Sequence, residues 1–392
     1  MANVGASIVN NRYEDLSYRG PIREKGIPNV FNVFDLDNTK KKARQDEWQE
    51  QTQSIFASVE VGWKSMLYLT LTGRNDWASQ LANSSTPCFF YPSVGLSGVI
   101  SEMLTLPEFI DYMKVRGSFS SVGMPYPRNL TSPTYEYDEA NQQWKPKTHY
   151  PIKDLKPERT NSWELGLDMR LFKDFSLGFS WYLANTFNQT FDPKVSVSSG
   201  YSKIYLQTGY VRNSGVELSL GYGHTWNNHL HWESNFTLSH NKNTIKDLVT
   251  SYIHPETGLP ITQNRLDVGG LGKARFILKK GGTLGDLYTQ SDLKRDNSGM
   301  VEIDPSGALT TEDNLPDIKL GSVFPKANLA WNNRFEWRGI SLSALFTARI
   351  GGIAYSATQA AMDQYGVSER SAQARDNGCL LYTSDAADEG LG

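Results

Sequence analysis

Apolar and polar residues alternate along most of the chain in segments of about ten residues, and these segments occur in pairs. The clearest pair is residues 163–169 and 175–183, which are joined by a turn at Lys173-Asp174. A period of two is typical of a strand with one apolar face, and two such strands joined by a tight turn predict a β-hairpin. The same pattern predicts four more hairpins, formed by residues 55–63 with 67–71, 94–96 with 115–119, 216–222 with 232–238, and 329–331 with 340–346.

The connections between these ten strands fall into two classes. Within the hairpins, four turns are short and one connection has about a dozen residues, whereas the links between hairpins are long, at residues 76–89, 122–160, 186–209 and 242–323. Long loops are uncommon inside compact soluble domains. Short turns at one end of a sheet and long loops at the other are the layout of a bacterial outer-membrane β-barrel.

The solvent around the sheet must be argued separately, because a soluble β-sandwich shows the same alternation. A ten-residue strand tilted by 45° spans roughly 24 Å, which matches the apolar band of an outer-membrane barrel. Aromatic residues collect near strand ends, as in the two aromatic girdles of such barrels. The predicted girdle tryptophans are Trp63, Trp226, Trp232 and Trp337 near the short turns, and Trp163 and Trp181 at the opposite end.

The other face of the strands carries charged residues among Ser, Thr, Gly and Asn, and a water-filled lumen would accommodate them. The predicted lumen-lining residues are Glu60, Arg116, Glu164, Asp168, Arg170, Glu217 and Glu233. These features favour an all-β fold, a transmembrane antiparallel β-barrel with short periplasmic turns and long extracellular loops, over a soluble sandwich.

Composition excludes several other classes. The formal net charge is −3 and no block of basic residues occurs, so the chain lacks the footprint of a nucleic-acid-binding protein. No run of about 18 apolar residues could form a transmembrane helix. Two cysteines, Cys88 and Cys379, cannot build a disulfide scaffold or a structural zinc site. No signal peptide is expected at Met1, so the protein either stays in the cytoplasm or its true start lies elsewhere.

No pattern supports catalysis, and the chain is predicted not to be an enzyme. The stretch Gly269–Ala274 fails the Walker pattern at its first glycine and at its Ser/Thr position. Glu164 and Asp168 lie on one strand and are expected to face a wide, wet lumen, a setting that does not favour general acid catalysis. A Gly-x-Ser-x-Gly nucleophile elbow is also missing.

Metal binding has weak candidates only, so no cofactor is predicted. His224, His229, His231 and His240 flank a turn without a completing carboxylate or Cys, which favours polar turn residues. Calcium in an extracellular loop is the less favoured alternative, because the spacing of the acidic stretch departs from known calcium loops. That stretch contains Asp292, Asp296, Asn297, Gly299, Glu302 and Asp304.

Aromatic residues in or beside the long loops are candidate substrate contacts, because aromatic faces stack on sugar rings and pack on peptide side chains. The alternative is that they pack the loops together. These residues are Trp77, Tyr91, Tyr135, Tyr137, Trp144, Tyr201 and Tyr205.

Several motifs resemble one known family. Residues 155–167 are similar to its strand-entry motif and residues 211–217 to the Asn-x-Gly-x-Glu strand start that follows it; residues 72–77, 91–102 and 115–123 also fit. On these motifs the chain resembles the SusC/RagA-type TonB-dependent outer-membrane transporters, with Met124 departing from the usual Asn.

This resemblance implies a 22-stranded barrel, of which the chain would supply about ten strands from the C-terminal part. It also implies a preceding plug with a TonB segment, a SusD-like surface lipoprotein, contact with outer-membrane lipid, and import of an oligosaccharide or peptide in a Gram-negative bacterium. A passive porin or adhesin is the alternative, and a secreted carbohydrate-binding β-sandwich is less favoured. We expect an extracellular loop and barrel lead-in at residues 1–51, barrel at 52–378 and a non-native tail at 379–392, with a natural disordered tail as the alternative for the last segment.

Overall fold

The computed structural model describes residues 1–23, 32–128, 130, 135–138, 142–146, 149–150, 155–191, 203–226, 229–253, 260–305 and 310–376. Three short helices are α1 (Ile100–Met103), α2 (Ala357–Gln364) and α3 (Glu369–Asp376). The strands are β1 (Ala2–Arg19), β2 (Lys42–Trp63), β3 (Leu67–Ala78), β4 (Cys88–Val99), β5 (Ile110–Met124), β6 (Tyr135–Asp138), β7 (Gln143–Pro146), β8 (His149–Tyr150), β9 (Glu158–Leu171), β10 (Phe175–Phe191), β11 (Lys203–Ile204), β12 (Leu206–Trp226), β13 (Leu230–Asp247), β14 (Val249–Ile253), β15 (Pro260–Gln263), β16 (Arg265–Leu271), β17 (Ala274–Lys279), β18 (Asp286–Leu293), β19 (Thr311–Ser322), β20 (Ala327–Trp337) and β21 (Ile340–Ile350).

Eleven of these strands form one antiparallel sheet, which we call the wall. Its order is β1-β2-β3-β4-β5-β9-β10-β12-β13-β20-β21, so each strand pairs with the next wall strand along the chain. The ten predicted strands and their five hairpins are all present. Short connections lie at one end of the wall, the turn end, and long connections at the other, the long-loop end. This is the layout that the sequence predicts for part of a transmembrane barrel.

The expected loop and lead-in at residues 1–51 is wrong, because an eleventh strand lies there. β1 pairs with β2 without interruption from Ala2↔Val59 to Arg19↔Lys42. Its first half shows apolar alternation, and its second half is mostly polar, with Tyr13, Leu16 and Tyr18 as its large apolar or aromatic residues. Backbone hydrogen bonds hold an antiparallel pair whatever its side chains are, so the hydrophobic pattern does not report this half.

Cross-strand register sorts the side chains of the wall onto two faces. One row of residues, each the cross-strand partner of the next from β2 to β10, is apolar and lies on the outward face. It consists of Val59, Leu71, Val94, Phe119, Trp163 and Leu183. One residue along, the inner face carries the row Glu60, Thr70, Gly95, Ser118, Glu164 and Tyr182. Because side chains of a strand alternate between faces, this register assigns each wall residue to one side.

The outward face leaves large apolar side chains uncovered. Leu342 is 68% exposed, Phe346 60% and Leu165 56%. A contiguous exposed apolar surface of this kind marks contact with a membrane or a partner. Among the described residues, helices long and apolar enough to cross a membrane are lacking.

A second antiparallel sheet, β16-β17-β18-β19, lies within residues 242–323, which the sequence analysis treats as one long link. We call it the loop sheet. Two of its apolar residues, Ile277 and Leu287, are buried, at 0% and 4% exposure. Leu266 and Leu278 from this sheet also join Val211 and Ile245 of the wall in one buried cluster, which fixes the loop sheet to the long-loop end.

After β21 the chain continues into α2 and α3 within the segment expected to be barrel. The side chain of Ser356 caps α2 by accepting a hydrogen bond from the backbone N–H of Gln359. The expected non-native tail, residues 379–392, lies outside the described residues.

Candidate functional site

The inner face of the wall is the candidate site, and Arg116 lies at its centre. The Arg116 guanidinium, on β5, contacts two neighbouring strands. Its Nη1 lies 2.9 Å from Oδ2 of Asp168, and its Nη2 lies 3.3 Å from Oε1 of Glu164 and donates to Oγ of Ser180 at 2.6 Å. The cation therefore ties β5 to β9 and β10 through charge-assisted hydrogen bonds.

A groove of about 560 Å³ opens beside Arg116 on the same face. Its lining includes Asp168 and Glu217, the cation Arg349 of β21, and the polar Ser239 and Asn328. Both charge signs and neutral hydrogen-bonding groups therefore face one space. Such a surface can bind a polar ligand through many weak hydrogen bonds, and it offers no catalytic arrangement.

Register places all seven predicted lumen-lining residues on this inner face. Four belong to the central part of the wall just described, and the others lie nearer its edges or turns. They are Glu60, Arg116, Glu164, Asp168, Arg170, Glu217 and Glu233. The predicted division of the strands into an apolar and a charged face is therefore present in the structure.

Glycines on the inner face lie opposite long side chains. Gly166 faces Arg116 and Gly215 faces Tyr182. A Cβ on either glycine would overlap these side chains. The glycines therefore let the guanidinium and the phenol lie flat against the wall.

A second polar cluster lies on the inner face towards the long-loop end. Arg74 donates from Nε to Oδ1 of Asp76 at 2.7 Å and from Nη2 to Oγ of Ser54 at 2.8 Å. The hydroxyl of Tyr91 donates to Oδ2 of Asp76 at 2.8 Å. Asp76 is buried, so these donors compensate a carboxylate that would otherwise be costly to bury.

Two of the predicted substrate contacts pack the loops together. Tyr91 and Tyr205 lie against a buried cluster that joins the ends of β3 and β4 to the connections above them. The cluster contains Ala78, Leu81, Phe89, Tyr126, Leu130 and Leu155. For Tyr91 and Tyr205, the structure therefore shows the alternative to substrate contact, which is packing of the loops against one another.

The remaining loop aromatics are Trp77, Tyr135, Tyr137, Trp144 and Tyr201, and the register makes Tyr137 the direct cross-strand partner of Trp144. Trp77 lies on the outward face, because it shares the register of Leu69 and Leu71. Trp144 is 68% exposed on β7, whose backbone pairs with that of β6, the strand containing Tyr135 and Tyr137. Tyr201 lies outside the described residues. A substrate role for these five residues stays a prediction.

Sequence reasoning missed an aromatic cluster on the β1–β2 hairpin. Tyr13 and Trp48 stack with ring centroids 5.4 Å apart, and the Arg128 guanidinium lies 3.9 Å from the centroid of the Trp48 ring. Arg128 also pairs with Glu50 at 2.8 Å. A tryptophan isolated in the polar run 42–52 is the only signal that could have indicated it.

All six predicted girdle tryptophans lie on the outward face. Trp63, Trp226, Trp232 and Trp337 are at the turn end, where Trp232 stacks on Phe335 with centroids 5.6 Å apart. Trp163 and Trp181 lie within their strands, because β9 begins at Glu158 and β10 continues to Phe191. A girdle at the level of these two residues stays a prediction.

The acidic stretch proposed for calcium is used in local hydrogen bonds. Oδ1 of Asp296 accepts from the backbone N–H groups of Ser298 and Met300, and Glu302 pairs with Lys294 at 2.7 Å. The hydrogen bonds from Ser298 and Met300 lower the pKa of Asp296. Among the described residues, three or more His, Cys, Asp or Glu side chains never converge in a metal-binding arrangement. Calcium stays the weaker alternative.

Comparison with known proteins identifies the class. Residues 2–299 match the family model described as "TonB dependent receptor-like, beta-barrel". Because the match covers most of the chain, the protein belongs to this family of outer-membrane β-barrels. The predicted resemblance to TonB-dependent transporters is confirmed.

Two curated relatives come from Formosa agariphila. TonB-dependent receptor P39 is 24% identical over 66% of this chain and 23% of its own length. TonB-dependent receptor P26 is 23% identical over 83% of this chain and 34% of its own length. The chain thus spans 23% of the length of the first relative and 34% of the length of the second.

Among solved structures, the RagAB peptide transporter superimposes with a TM-score of 0.68 at 17% identity, over 92% of this chain and 41% of that one. The RagAB peptide importer in its "open-open" state gives 0.60 at 18% identity, over 90% and 38%. These likenesses establish the fold. The wall is therefore part of a TonB-dependent receptor barrel in the outer membrane of a Gram-negative bacterium, with periplasmic turns and extracellular loops, and a secreted sandwich is excluded. Because this family transports rather than catalyses, the prediction that the chain is not an enzyme is confirmed.

Proposed function

We propose that the chain forms the wall and extracellular loops of a transporter that imports a large polar nutrient, an oligosaccharide or a peptide, across the outer membrane. The observation that supports this most directly is the division of one continuous sheet into an exposed apolar face and a charged inner face. The groove beside Arg116 offers a ligand both charge signs and neutral hydrogen-bonding groups. In this proposal a plug preceding the wall contacts TonB, and a SusD-like lipoprotein covers the extracellular mouth.

Uptake by cells tests the proposal. The gene that encodes the chain is deleted, and the strain is supplied with fluorescent oligosaccharides or oligopeptides of several lengths. We expect the deletion to abolish uptake of one of these classes, and deletion of TonB to abolish it equally. Uptake that continues without TonB would favour the passive porin, and unchanged uptake of every nutrient together with lost surface attachment would favour the adhesin.

A matched pair of variants tests the loop aromatics within this function. Trp144→Ala removes an exposed loop ring, and Trp337→Ala removes the same side chain from the outward face. If Trp144 contacts the nutrient, we expect the KM of uptake to rise by roughly two- to tenfold in W144A alone, since an aromatic contact contributes about that much to binding. Equal KM values in both variants and the wild type would remove Trp144 from the site.

A further inference from the structure

The β1–β2 hairpin extends beyond the rest of the wall at the long-loop end. β3 pairs with β2 only from Thr52↔Ala78 towards the turn end, whereas β1 pairs with β2 over its whole length. We call the projecting part, residues 10–19 and 42–51, the arm. Ten residues of extended strand span about 33 Å. The arm therefore projects from the extracellular end of the wall, and its β2 side has no neighbouring strand among the described residues.

Two hydrogen bonds of β2 show which of its backbone groups face this free edge. The N–H of Glu60 donates to the carbonyl of Met1 at 2.8 Å, so even-numbered residues of β2 point towards β1. The N–H of Gln51 donates to Oγ of Ser79 at 3.1 Å, on the opposite side. Backbone groups alternate along a strand, and the β1–β2 register is uninterrupted, so odd-numbered residues face the free edge. In the arm these are Ala43, Gln45, Glu47 and Gln49.

These four residues are exposed, and their backbone groups form no hydrogen bond on the side of the free edge within the part of the chain that the structure describes. Each offers one N–H donor and one C=O acceptor. An unpaired strand edge is a template for another extended chain. The charged side chains nearby pair within the arm, Arg44 with Asp46 at 3.0 Å and Arg12 with Glu47 at 3.1 Å. These ion pairs leave the free edge uncovered.

An aromatic and charged cluster lies beside the free edge on the inner face. The Trp48 ring stacks on Tyr13, which is 41% exposed. The guanidinium of Arg128 contacts the same Trp48 ring and pairs with Glu50. Neighbouring residues of paired strands share a face of the sheet. Every second side chain of a strand added at the free edge would therefore lie beside this cluster.

The spacing of the free backbone groups selects an extended polypeptide as the ligand. On one edge of a strand, an N–H and a C=O recur at every second residue, or about every 6.8 Å. An extended peptide repeats this pattern of donors and acceptors. The hydroxyl groups of an oligosaccharide do not, because their spacing follows the sugar rings. The edge from Ala43 to Gln49 has room for a peptide of about the same length, roughly seven residues.

We propose that the arm binds peptide nutrients by strand addition at the free edge of β2, with alternate peptide side chains packed beside Trp48 and Tyr13. This inference rests on the proposed import function and narrows its nutrient class to peptides. Recognition through backbone groups accepts many peptide sequences, and the cluster adds a preference at alternate positions.

Peptide binding to cells that lack TonB tests the free edge separately from transport. The receptor that contains this chain is expressed in such cells, and a pool of fluorescent, end-capped heptapeptides of randomised sequence is titrated at the cell surface. Gln45→Pro removes an N–H that faces the free edge, at a position where proline interrupts no pairing with β1. We expect Q45P to weaken binding about five- to tenfold, because a peptide carbonyl loses its donor.

Leu16→Pro is the matched control. Leu16 is the cross-strand partner of Gln45, and its N–H points away from β2, at the opposite edge of the arm. L16P should bind the heptapeptides as the wild type does. Equal binding by both variants and the wild type, or an equal loss in both variants, would overturn the proposal.

N-methylated peptides test the same contact without altering the receptor. A pool methylated at every second residue keeps one edge able to pair and should bind within about twofold of the unmethylated pool, whereas methylation of every residue should abolish binding. Unchanged binding of the fully methylated pool would refute strand addition. TonB-dependent uptake restricted to oligosaccharides would refute the peptide assignment and leave import in place. Loss of a co-purifying surface protein in Q45P, with peptide binding unchanged, would assign the free edge to a protein partner and equally overturn the proposal.

Discussion

The wall and the loop sheet are both antiparallel, but their apolar side chains are covered in different ways. In the wall, outward residues such as Leu165 and Leu342 are more than half exposed. In the loop sheet, Ile277 and Leu287 are almost completely buried, and Asp317 pairs with Arg265 and Lys279 beside them. The wall therefore needs lipid as its second layer, whereas the buried apolar residues of the loop sheet are covered by protein.

This difference also explains why the sequence predicts the strands of the wall but not those of the loop sheet. A face covered by lipid must be apolar at every second position over a whole strand, and that regularity identifies the wall. The loop sheet is covered by its own residues and by the wall, and three of its four strands, β16, β17 and β18, have only six to eight residues. Regular alternation of apolar and polar residues therefore depends on whether lipid or protein covers the strand, as well as on the strand conformation itself.

The largest expected effect is on the core of the loop sheet. Ile277→Ala removes a side chain that is 0% exposed, and the lost burial and the new cavity should destabilise this sheet by about 2–5 kcal/mol. Limited proteolysis of the detergent-solubilised chain measures this as faster cleavage within residues 265–322. Val61→Ala, on the exposed outward face, is the control. Similar cleavage of the loop sheet in both variants would contradict the contrast between the two sheets.

A charge on the outward face should have the next largest effect. Leu165→Arg places a cation where lipid is expected, at a cost of about 2–4 kcal/mol near the bilayer centre. Insertion into phospholipid vesicles, followed by heat-modifiable mobility on gels, should show a lower folded yield. Glu164→Gln, one residue away on the inner face, should insert normally. If both variants insert as well as the wild type, the assignment of faces is wrong.

A smaller, pH-dependent effect is expected at Asp317. Hydrogen bonds from Arg265, and the charge of that residue and of Lys279, lower the pKa of Asp317 to about 2 despite its burial. Because the folded pKa lies below the ordinary value, the contribution to stability is present above about pH 4 and is lost as the pH falls towards 2; it amounts to about 2 kcal/mol.

Pepsin cleavage of the loop sheet across this pH range measures the effect. The wild type should become more sensitive as the pH falls, and Asp317→Asn should be sensitive at the upper end already and change less. Asp267 and Asp286 also have lowered pKa values, so part of the acid sensitivity should persist in D317N. Asp292→Asn, an exposed carboxylate of the same sheet, should behave as the wild type. A pH profile of D317N identical to that of the wild type would exclude Asp317 as a contributor.

The ten alternating strands, their two faces and the seven inner-face residues could all be predicted, because each follows from the period of two. Strand β1 could not, since half of it is polar and is held by backbone pairing with β2. For the candidate site, the sequence predicts which residues share the inner face but not which of them contact one another. The ion pairs of Arg116 depend on which residues of β5, β9 and β10 become neighbours, and that register is set between strands far apart in sequence. Packing of Tyr91 and Tyr205 likewise depends on Leu81, Tyr126 and Leu155, which lie in two different links between hairpins, residues 76–89 and 122–160.

The inner-face glycines determine how far some neighbouring side chains project from the wall. Gly166 and Gly215 let the guanidinium of Arg116 and the ring of Tyr182 lie along the wall. A methyl group at either position would push these side chains towards the axis and narrow the bore. How far side chains project from the inner face is therefore set partly by which residues on the neighbouring strands have no side chain.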